Sequence, residues 1–221
     1  MGMFIGTPSS IVTDGLKGCF DAGNTASYPG TGTTWTDVSG NGNHGTILQS
    51  SESTYTTANG GYFAATNALM WCPFVHTSGQ DLSICYWVMH KQAASGIIFG
   101  SYNDSNSELK PLNEIGGDGY AYNNNSNIDH AVTQNVWYYY TFAETNGGNT
   151  KIFRNGVQIA DSGTTASASV TKIKFSAHGS FASNSSNVDA NWAIIQLYPS
   201  KALTLAEHTQ NYNAHKHRFG L

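Results

Sequence analysis

Charged side chains are scarce in this chain of 221 residues, because lysine, arginine, aspartate and glutamate together make up only 11% of it. A globular protein usually contains about 25% of them. The formal net charge is −4, and no cluster of lysine or arginine is present that could neutralise a row of phosphates. We therefore expect neither nucleic-acid binding nor docking on anionic lipid.

Paired cysteines and long apolar runs are missing as well. The three cysteines, Cys19, Cys72 and Cys85, are odd in number and form no C-x-x-C motif, which favours buried, reduced thiols. One disulfide with a third, free thiol stays open as an alternative. No apolar run approaches the roughly 20 residues of a membrane span, and residues 1–6 lack the basic and apolar regions of a signal peptide. The sequence thus predicts synthesis in a reducing cytoplasm, without membrane insertion.

Strand signals recur along the chain. Residues 82–88 are apolar on both faces, which is typical of a central strand between packed layers. Residues 136–142 are aromatic and of high β-propensity. Asn155 and Gly156 stand between two alternating segments, and this pair indicates a hairpin with a type I′ turn. The other predicted strands are 16–21, 46–48, 96–100, 171–175 and 192–198.

Only the C-terminal part predicts a helix. Thr204 and Glu207 have the spacing of a capping box, and the helix is expected to run to about Ala214. Its apolar stripe is expected to contain Leu205, His208, Thr209 and Tyr212.

One domain with an extension is the predicted organisation. Residues 1–13 are expected to form an N-terminal arm, and residues 14–221 a single domain that includes the helix and the tail. Many short strands with one short helix predict an all-β fold: a two-sheet antiparallel jelly-roll sandwich with one short C-terminal helix.

The order of several motifs resembles that of laminin-G-like, concanavalin A-like jelly-roll domains. These motifs are residues 14–16, 21–24, 27–30, 35–46, 82–88, 154–157 and 197–204. Residues 210–214 and 218–220 are similar, more specifically, to the version found in structural proteins of tailed bacteriophages. The resemblance covers residues 14–221, and it implies a binding or structural role in a virion. A fold by itself does not define a function.

The most distinctive motif is the glycine-rich loop of residues 35–46, WTDVSGNGNHGT. Ca²⁺ takes about six to eight oxygen ligands. Asp37, Asn41 and Asn43 could provide some of them, with Asp189 as a further acid. The alternative is that the same side chains hold the loop together through Asx turns.

Catalytic patterns are weak in this sequence. A glycosidase needs two carboxylates about 5 to 10 Å apart, and the nearest approach, Glu114 and Asp118, is interrupted by two glycines. No Gly-x-Ser-x-Gly motif is present. His208, His215 and His217 could bind zinc or nickel on spacing alone, although a basic, solvated tail is the favoured interpretation. We therefore predict a protein without enzymatic activity.

Sugar binding is the other use of this fold that the resemblance implies. It requires exposed aromatic rings beside amides or carboxylates in polar loops. The candidates are Tyr102, Asn103, Asp104, Tyr120, Tyr122 and Asn124. Trp87, Trp137 and Trp192 lie in predicted strands and are expected in the core.

These observations predict a non-enzymatic structural protein of a phage virion, a capsid decoration, tail or fibre component with a lectin-like adhesion module. The alternative is a carbohydrate-binding lectin module outside a virion, with or without Ca²⁺. Contacts with other virion proteins or sister subunits are expected from Met3, Phe4 and Ile5 in the arm, and from Arg218 and Phe219 in the tail. Host-surface glycans are the second class of expected partner.

Overall fold

Two antiparallel sheets, stacked face to face, form the body of the protein in the computed structural model. The structure describes residues 10–48, 53–91, 96–103, 108–115, 119–122, 127–129, 132–147, 149–164, 168–176 and 188–221. Within these ranges lie sixteen strands, one α-helix and two short 3₁₀ helices. None of the described helices is long and apolar enough to span a membrane.

The strands, in chain order, are β1 (Gly18–Asp21), β2 (Thr34–Trp35), β3 (Gly45–Ile47), β4 (Ser53–Thr56), β5 (Tyr62–Ala65), β6 (Met70–His76), β7 (Leu82–His90), β8 (Gly96–Tyr102), β9 (Glu108–Ile115), β10 (Gly119–Tyr122), β11 (Asn127–Asp129), β12 (Trp137–Glu144), β13 (Asn149–Arg154), β14 (Val157–Thr164), β15 (Val170–Phe175) and β16 (Ala190–Tyr198). Helix α1 (Leu205–His215) follows, and 3₁₀ turns cover Ala58–Gly60 and Lys216–Phe219.

Each sheet contains eight strands. Sheet A has the order β14-β13-β12-β7-β16-β5-β4, and β1 also pairs with β16. Sheet B has the order β11-β10-β9-β8-β15-β6-β3-β2. Two antiparallel sheets with one short C-terminal helix confirm the predicted jelly-roll-like sandwich. The β13–β14 turn confirms the predicted hairpin, since Asn155 and Gly156 both have the positive φ of a type I′ turn (49° and 87°).

The main core lies between the two sheets, and it follows the two-residue period of the strands. Ile84, Tyr86 and Val88 of β7 belong to this core. Cys85 and Trp87, on the other side of the same strand, belong to a second cluster outside sheet A. Both faces of β7, β12 and β16 are therefore buried, which confirms the prediction for residues 82–88. The three strand tryptophans Trp87, Trp137 and Trp192 are buried as well, as predicted.

Helix α1 covers part of the outer face of sheet A. Its start confirms the capping box: the Thr204 side chain accepts a hydrogen bond from the Glu207 amide, and the Glu207 carboxylate accepts one from the Thr204 amide. The predicted stripe is wrong in part, because Leu205 is 43% exposed. His208 is buried as predicted, and the other buried positions are Asn211 and Ala214, because the surface under the helix is polar as well as apolar.

Residues 10–13 lie against the same face, although the sequence assigned them to an arm. The Val12 amide donates to Asn211 Oδ1 at 2.7 Å, and the Tyr198 hydroxyl donates to the Val12 carbonyl at 2.8 Å. The Ser10 carbonyl accepts a hydrogen bond from Gln210. Ser10 to Thr13 therefore pack on the domain, whereas Met3, Phe4 and Ile5 lie outside the described residues.

Candidate functional site

The glycine-rich loop is held together by the carboxylate of Asp37, which is 5% exposed. Oδ1 accepts hydrogen bonds from the Cys19 and Ser39 amides, both at 2.8 Å. Oδ2 accepts from the Ser39 hydroxyl at 2.9 Å and from the Asn43 amide at 3.0 Å. Four donors therefore surround the carboxylate, which is the arrangement of an Asx turn rather than of a cation ligand.

The other proposed calcium ligands do not gather around Asp37. Asn41 and Asn43 donate their side-chain NH₂ groups to the carbonyls of Leu16 and Lys17. Asp189 is also far from Asp37. Asp37 is bound to the amide of Cys19, which pairs with Gln196 on β16, whereas Asp189 comes just before that strand begins. About 20 Å of extended strand therefore separates Asp189 from the loop. These residues do not fit a calcium site. Among the described residues, no group of three His, Cys, Asp or Glu side chains could hold a metal ion.

The three cysteines are buried and form no disulfide with one another, which agrees with the expectation of reduced thiols. Burial raises the pKa of Cys19 and of Cys85 to about 12, and it raises the pKa of Cys72 as well. Because the thiolate is the reactive form, these thiols are inert as nucleophiles and as metal ligands.

His208 is fixed in a buried chain of hydrogen bonds beneath α1. Its Nε2 accepts from the Gly156 amide at 2.9 Å, so Nδ1 carries the proton and donates to the Thr141 hydroxyl at 2.8 Å. That hydroxyl donates in turn to Cys85 Sγ at 3.3 Å. Burial lowers the pKa of His208 to about 3, so the neutral imidazole links the helix to sheet A.

The tail is also bound to its own domain. Phe219 stacks on Trp87 with ring centroids 4.2 Å apart, and it packs against Trp137 at 4.7 Å. The Arg218 guanidinium forms an ion pair with Asp21 at 2.5 Å and donates to the Gly61 carbonyl. The predicted assembly contacts Arg218 and Phe219 are therefore used inside the domain, because the tail covers an aromatic surface that would otherwise meet water.

The outer face of sheet B is more exposed than that of sheet A along its strand β6. Strand β6 alternates along its length, so that Met70, Cys72 and Phe74 enter the core. On the opposite face, Trp71 and Pro73 are partly buried, and Val75 is 68% exposed. The central strands of sheet A show no such alternation.

Strand register places two rows of side chains side by side on this face. In the first row, Thr46 of β3 pairs with Trp71, which pairs with Lys174 of β15, which pairs with Gly100 of β8. In the second row, Lys172 pairs with both Pro73 and Tyr102. Ile173 and Phe175 point into the core, so both lysines face outward. We call this set the platform: Thr46, Trp71, Pro73, Gly100, Tyr102, Lys172 and Lys174.

The exposure of these side chains varies across the platform. Thr46 is exposed, Trp71 and Lys172 are partly buried, and Lys174 and Tyr102 are 0% exposed. A cleft of about 350 Å³ adjoins the platform at Pro73 and Val75. The surface therefore combines an indole, a hydroxyl and an amine beside a concave edge.

The sugar-binding residues predicted from the sequence coincide with this face only in part. Tyr102 belongs to the platform, but its ring is fully buried, so the prediction of an exposed ring was wrong there. Asn103 follows it and is partly buried. Tyr120 and Tyr122 lie in strand β10 rather than in a loop, two strands away from β8. Asp104 and Asn124 lie outside the described residues.

Two platform residues were missed from the sequence. Trp71 and Lys172 each occupy the outward positions of an alternating strand, Met70-Trp71-Cys72 and Thr171-Lys172-Ile173. That alternation was a usable signal for Trp71, since apolar Met70 and Cys72 flank it and fix the inward face.

No family model matches the chain, and no curated protein matches it. Solved structures do match. The sialidase of Trypanosoma rangeli in complex with sialic acid is 12% identical with a TM-score of 0.69, over 95% of this chain and 34% of the sialidase. Domain 4 of a GH43 extracellular arabinanase from Geobacillus stearothermophilus, in complex with arabinotriose, is 15% identical with a TM-score of 0.64, over 89% of this chain and 98% of that domain.

A third similar structure is the binding domain of Paraclostridial Mosquitocidal Protein 1. It is 13% identical with a TM-score of 0.63, over 91% of this chain and 52% of that protein chain. The chain thus spans about a third of the sialidase and nearly the whole arabinanase domain. At these identities the similarity establishes the β-sandwich fold and nothing further.

Proposed function

We propose that this chain is a non-catalytic, carbohydrate-binding β-sandwich domain whose ligand lies on the platform. The observation that carries the proposal is the outward, partly exposed indole of Trp71 between Thr46 and Lys174 on one side of sheet B. An aromatic face covers the apolar side of a sugar ring, while a neighbouring exposed hydroxyl such as that of Thr46 bonds the hydroxyls of the sugar.

The asymmetry of the two sheets supports this location. Residues 10–16, α1 and the tail cover the outer face of sheet A, where Trp87 is 0% exposed. On sheet B, the outward residues of β6 are partly or largely exposed. Within the described part of the chain, Thr46, Trp71, Pro73 and Lys172 are the platform residues that meet solvent, whereas Gly100, Tyr102 and Lys174 are buried.

The similar structures support the same class of ligand. The arabinanase domain that the chain covers almost completely was solved with arabinotriose, and the sialidase with sialic acid. The chain covers only a third of the sialidase, so its enzymatic activity is not transferred here. Of the described carboxylates, Asp14, Asp21 and Glu207 are held in ion pairs with Lys201 and Arg218.

A glycan array, followed by calorimetric titration of the best ligand, tests the proposal. Trp71→Ala is expected to weaken binding by about tenfold or more, which corresponds to about 1.4 kcal/mol. Trp71→Phe should keep most of the affinity, since it retains an aromatic face. Val75→Ala changes an exposed residue on the same strand face and serves as the matched control. Silence across the array, or unchanged binding by Trp71→Ala, would refute the proposal.

We further propose that the domain serves for adhesion in a phage virion. What supports this context is the resemblance of residues 210–214 and 218–220 to phage structural proteins. Because Arg218 and Phe219 are used internally, contacts with other virion proteins would fall to residues 1–9, which include Met3, Phe4 and Ile5. Mass spectrometry of purified virions from the source genome is expected to find the chain in structural amounts, and its absence from them would refute this context.

A further inference from the structure

We infer that the ligand is an oligosaccharide chain rather than a single sugar, and that its further sugar rings lie in the cleft beside β6. This inference rests on the proposed carbohydrate binding at Trp71 and names the size of the ligand. Three features support it: the strand pairing that opens the cleft, the side chains that line it, and its continuity with the platform.

The cleft exists because β3 is shorter than its neighbour β6. Strand β3 pairs with β6 only at Met70 and Trp71. The next part of β6, residues 73–75, therefore has β15 on one side and the cleft on the other. Pro73 is suited to this position, because proline has no backbone N–H that needs a partner on a neighbouring strand.

The glycine-rich loop and the start of β1 form a second wall of the cleft. Asn43 donates its side-chain NH₂ to the Lys17 carbonyl at 2.7 Å, and its backbone amide donates to Asp37 at 3.0 Å. These bonds fix the side chain, and no described residue donates to its Oδ1 atom, so a ligand hydroxyl meets an acceptor that is already in place. The Lys17 ammonium already donates to Asn41 at 3.3 Å, and we assign it no contact with the ligand.

The turn after β16 forms a third wall. His76 is 2% exposed, and its Nδ1 donates to the Pro199 carbonyl at 2.6 Å. This buried hydrogen bond holds the turn, so that Pro199 and Leu197 line the cleft as a rigid apolar surface. Ser200 follows in the same turn and adds an exposed hydroxyl.

Gln80 is the side chain of the cleft that is best suited to bond a sugar. It is exposed in the turn between β6 and β7, and its backbone amide donates to the Thr77 carbonyl at 3.1 Å. The side-chain amide makes no hydrogen bond with the described residues. It offers both donors and an acceptor, which matches hydroxyl groups that donate and accept. No Asp or Glu lines the cleft, so these contacts fit a polar, uncharged ligand.

The cleft and the platform are continuous, because Pro73 belongs to both. Trp71, Pro73 and Val75 succeed one another on the outward face of β6, and four residues of extended strand span about 13 Å. A single sugar ring is shorter than this distance, so a ligand that covers the indole and fills the cleft must contain several linked rings. The cleft volume of about 350 Å³ is at the lower end of the roughly 300–1,000 Å³ of small-molecule sites.

Calorimetric titration of the full chain with the mono-, di-, tri- and tetrasaccharide of the best sugar on the array tests the inference. The affinity is expected to rise by about tenfold or more from the monosaccharide to the trisaccharide, and then to level off once the cleft is filled. Gln80→Ala should remove most of this gain and leave the affinity for the monosaccharide unchanged. The matched control is Gln134→Ala, the same change in an exposed turn at the other end of β7, where the Asn135 amide donates to the His90 carbonyl.

A second variant, Ser200→Trp, places a large side chain in the cleft and should also remove the gain. Val75→Ala keeps an apolar wall and should retain it. Loss of the gain in Gln80→Ala or in Ser200→Trp, with an unchanged melting temperature, supports the inference.

The outcomes separate this inference from the proposed function. Equal affinity for the monosaccharide and the longer chains overturns the inference, as does a gain that both cleft variants retain. Weakened binding of the monosaccharide by Trp71→Ala would still support carbohydrate binding on the platform in either case. If the unaltered protein binds no glycan at all, both fail together.

Discussion

Replacing Asp37 by alanine distinguishes a structural loop from an ion site. The carboxylate accepts four hydrogen bonds, and three of the donors are backbone amides, those of Cys19, Ser39 and Asn43. Alanine removes both acceptor oxygens and offers no substitute. The Cys19 amide lies in buried strand β1, so water cannot easily replace its lost partner.

The expected cost follows from these contacts. Leaving a buried amide without an acceptor costs about 1–3 kcal/mol, and a hydrogen bond to a charged group contributes about 1.5–3 kcal/mol. The Ser39 and Asn43 amides lie nearer the surface and recover part of their loss from water. We therefore expect Asp37→Ala to lower the free energy of unfolding by about 3–5 kcal/mol. For a chain of this size, the melting temperature should fall by roughly 10 °C.

Chemical denaturation and thermal melting measure this effect, each with added Ca²⁺ and with EDTA. The control is Asp81→Ala, because Asp81 accepts one amide hydrogen bond, from Asn146, in an exposed turn. Asp81→Ala should lower the free energy of unfolding by no more than about 1 kcal/mol. Neither Ca²⁺ nor EDTA is expected to change the stability of the unaltered protein. The reasoning is refuted if Asp37→Ala is as stable as the control, or if Ca²⁺ stabilises the protein only when Asp37 is present.

Three further predictions concern the layer outside sheet A. The pKa of His208 is lowered from 6.5 to about 3, so between these two pH values only the unfolded chain binds the proton. The free energy of unfolding should therefore fall by up to about 1.4 kcal/mol per pH unit as the pH drops from 6.5 towards 3. Urea titrations at several pH values should show that the stability of His208→Gln depends less on pH. Phe219→Ala should lower the free energy of unfolding by about 2 kcal/mol. It should also shift the tryptophan fluorescence to the red, because Trp87 then meets water, and an unchanged spectrum would contradict the stacking of Phe219 on Trp87. A chain that lacks residues 1–13 should melt at a lower temperature than one that lacks only residues 1–9, because it loses the contacts of Val12, and equal stability of the two truncations would contradict the packing of residues 10–13 on the domain.

Local patterns were sufficient for much of the fold. The apolar run at residues 82–88, the Asn155-Gly156 turn and the Thr204 capping box each depend on neighbours in sequence, and each is found where the pattern placed it. The fold class follows from these elements, because many short strands with one helix must bury their apolar faces in two stacked sheets.

The sites depended on contacts between distant residues, and the sequence could not supply them. Arg218 was expected to contact other virion proteins or sister subunits, but it pairs with Asp21 of its own chain, 197 positions away in sequence. Tyr102 stands beside Asn103 in a polar stretch, which suggested exposure, yet the fold buries its ring completely. Trp71 is the opposite case, since the alternation of Met70, Trp71 and Cys72 was a local signal of its outward position that was missed.

The outer face of sheet A is covered by α1, the tail and residues 10–16, and this determines how the domain can be attached to a surface or a fusion partner. Ser10 is bonded to α1, and Phe219 is stacked on Trp87, so the chain enters and leaves on the same side of the sandwich. A surface or fusion partner joined before Ser10 or after Gly220 would sit behind sheet A. Every copy attached in this way would turn Trp71 and Lys172 on sheet B away from the point of attachment, whether it is joined before Ser10 or after Gly220. Oriented immobilisation at Ser10 or at Gly220 is thus a property of the described part of the fold.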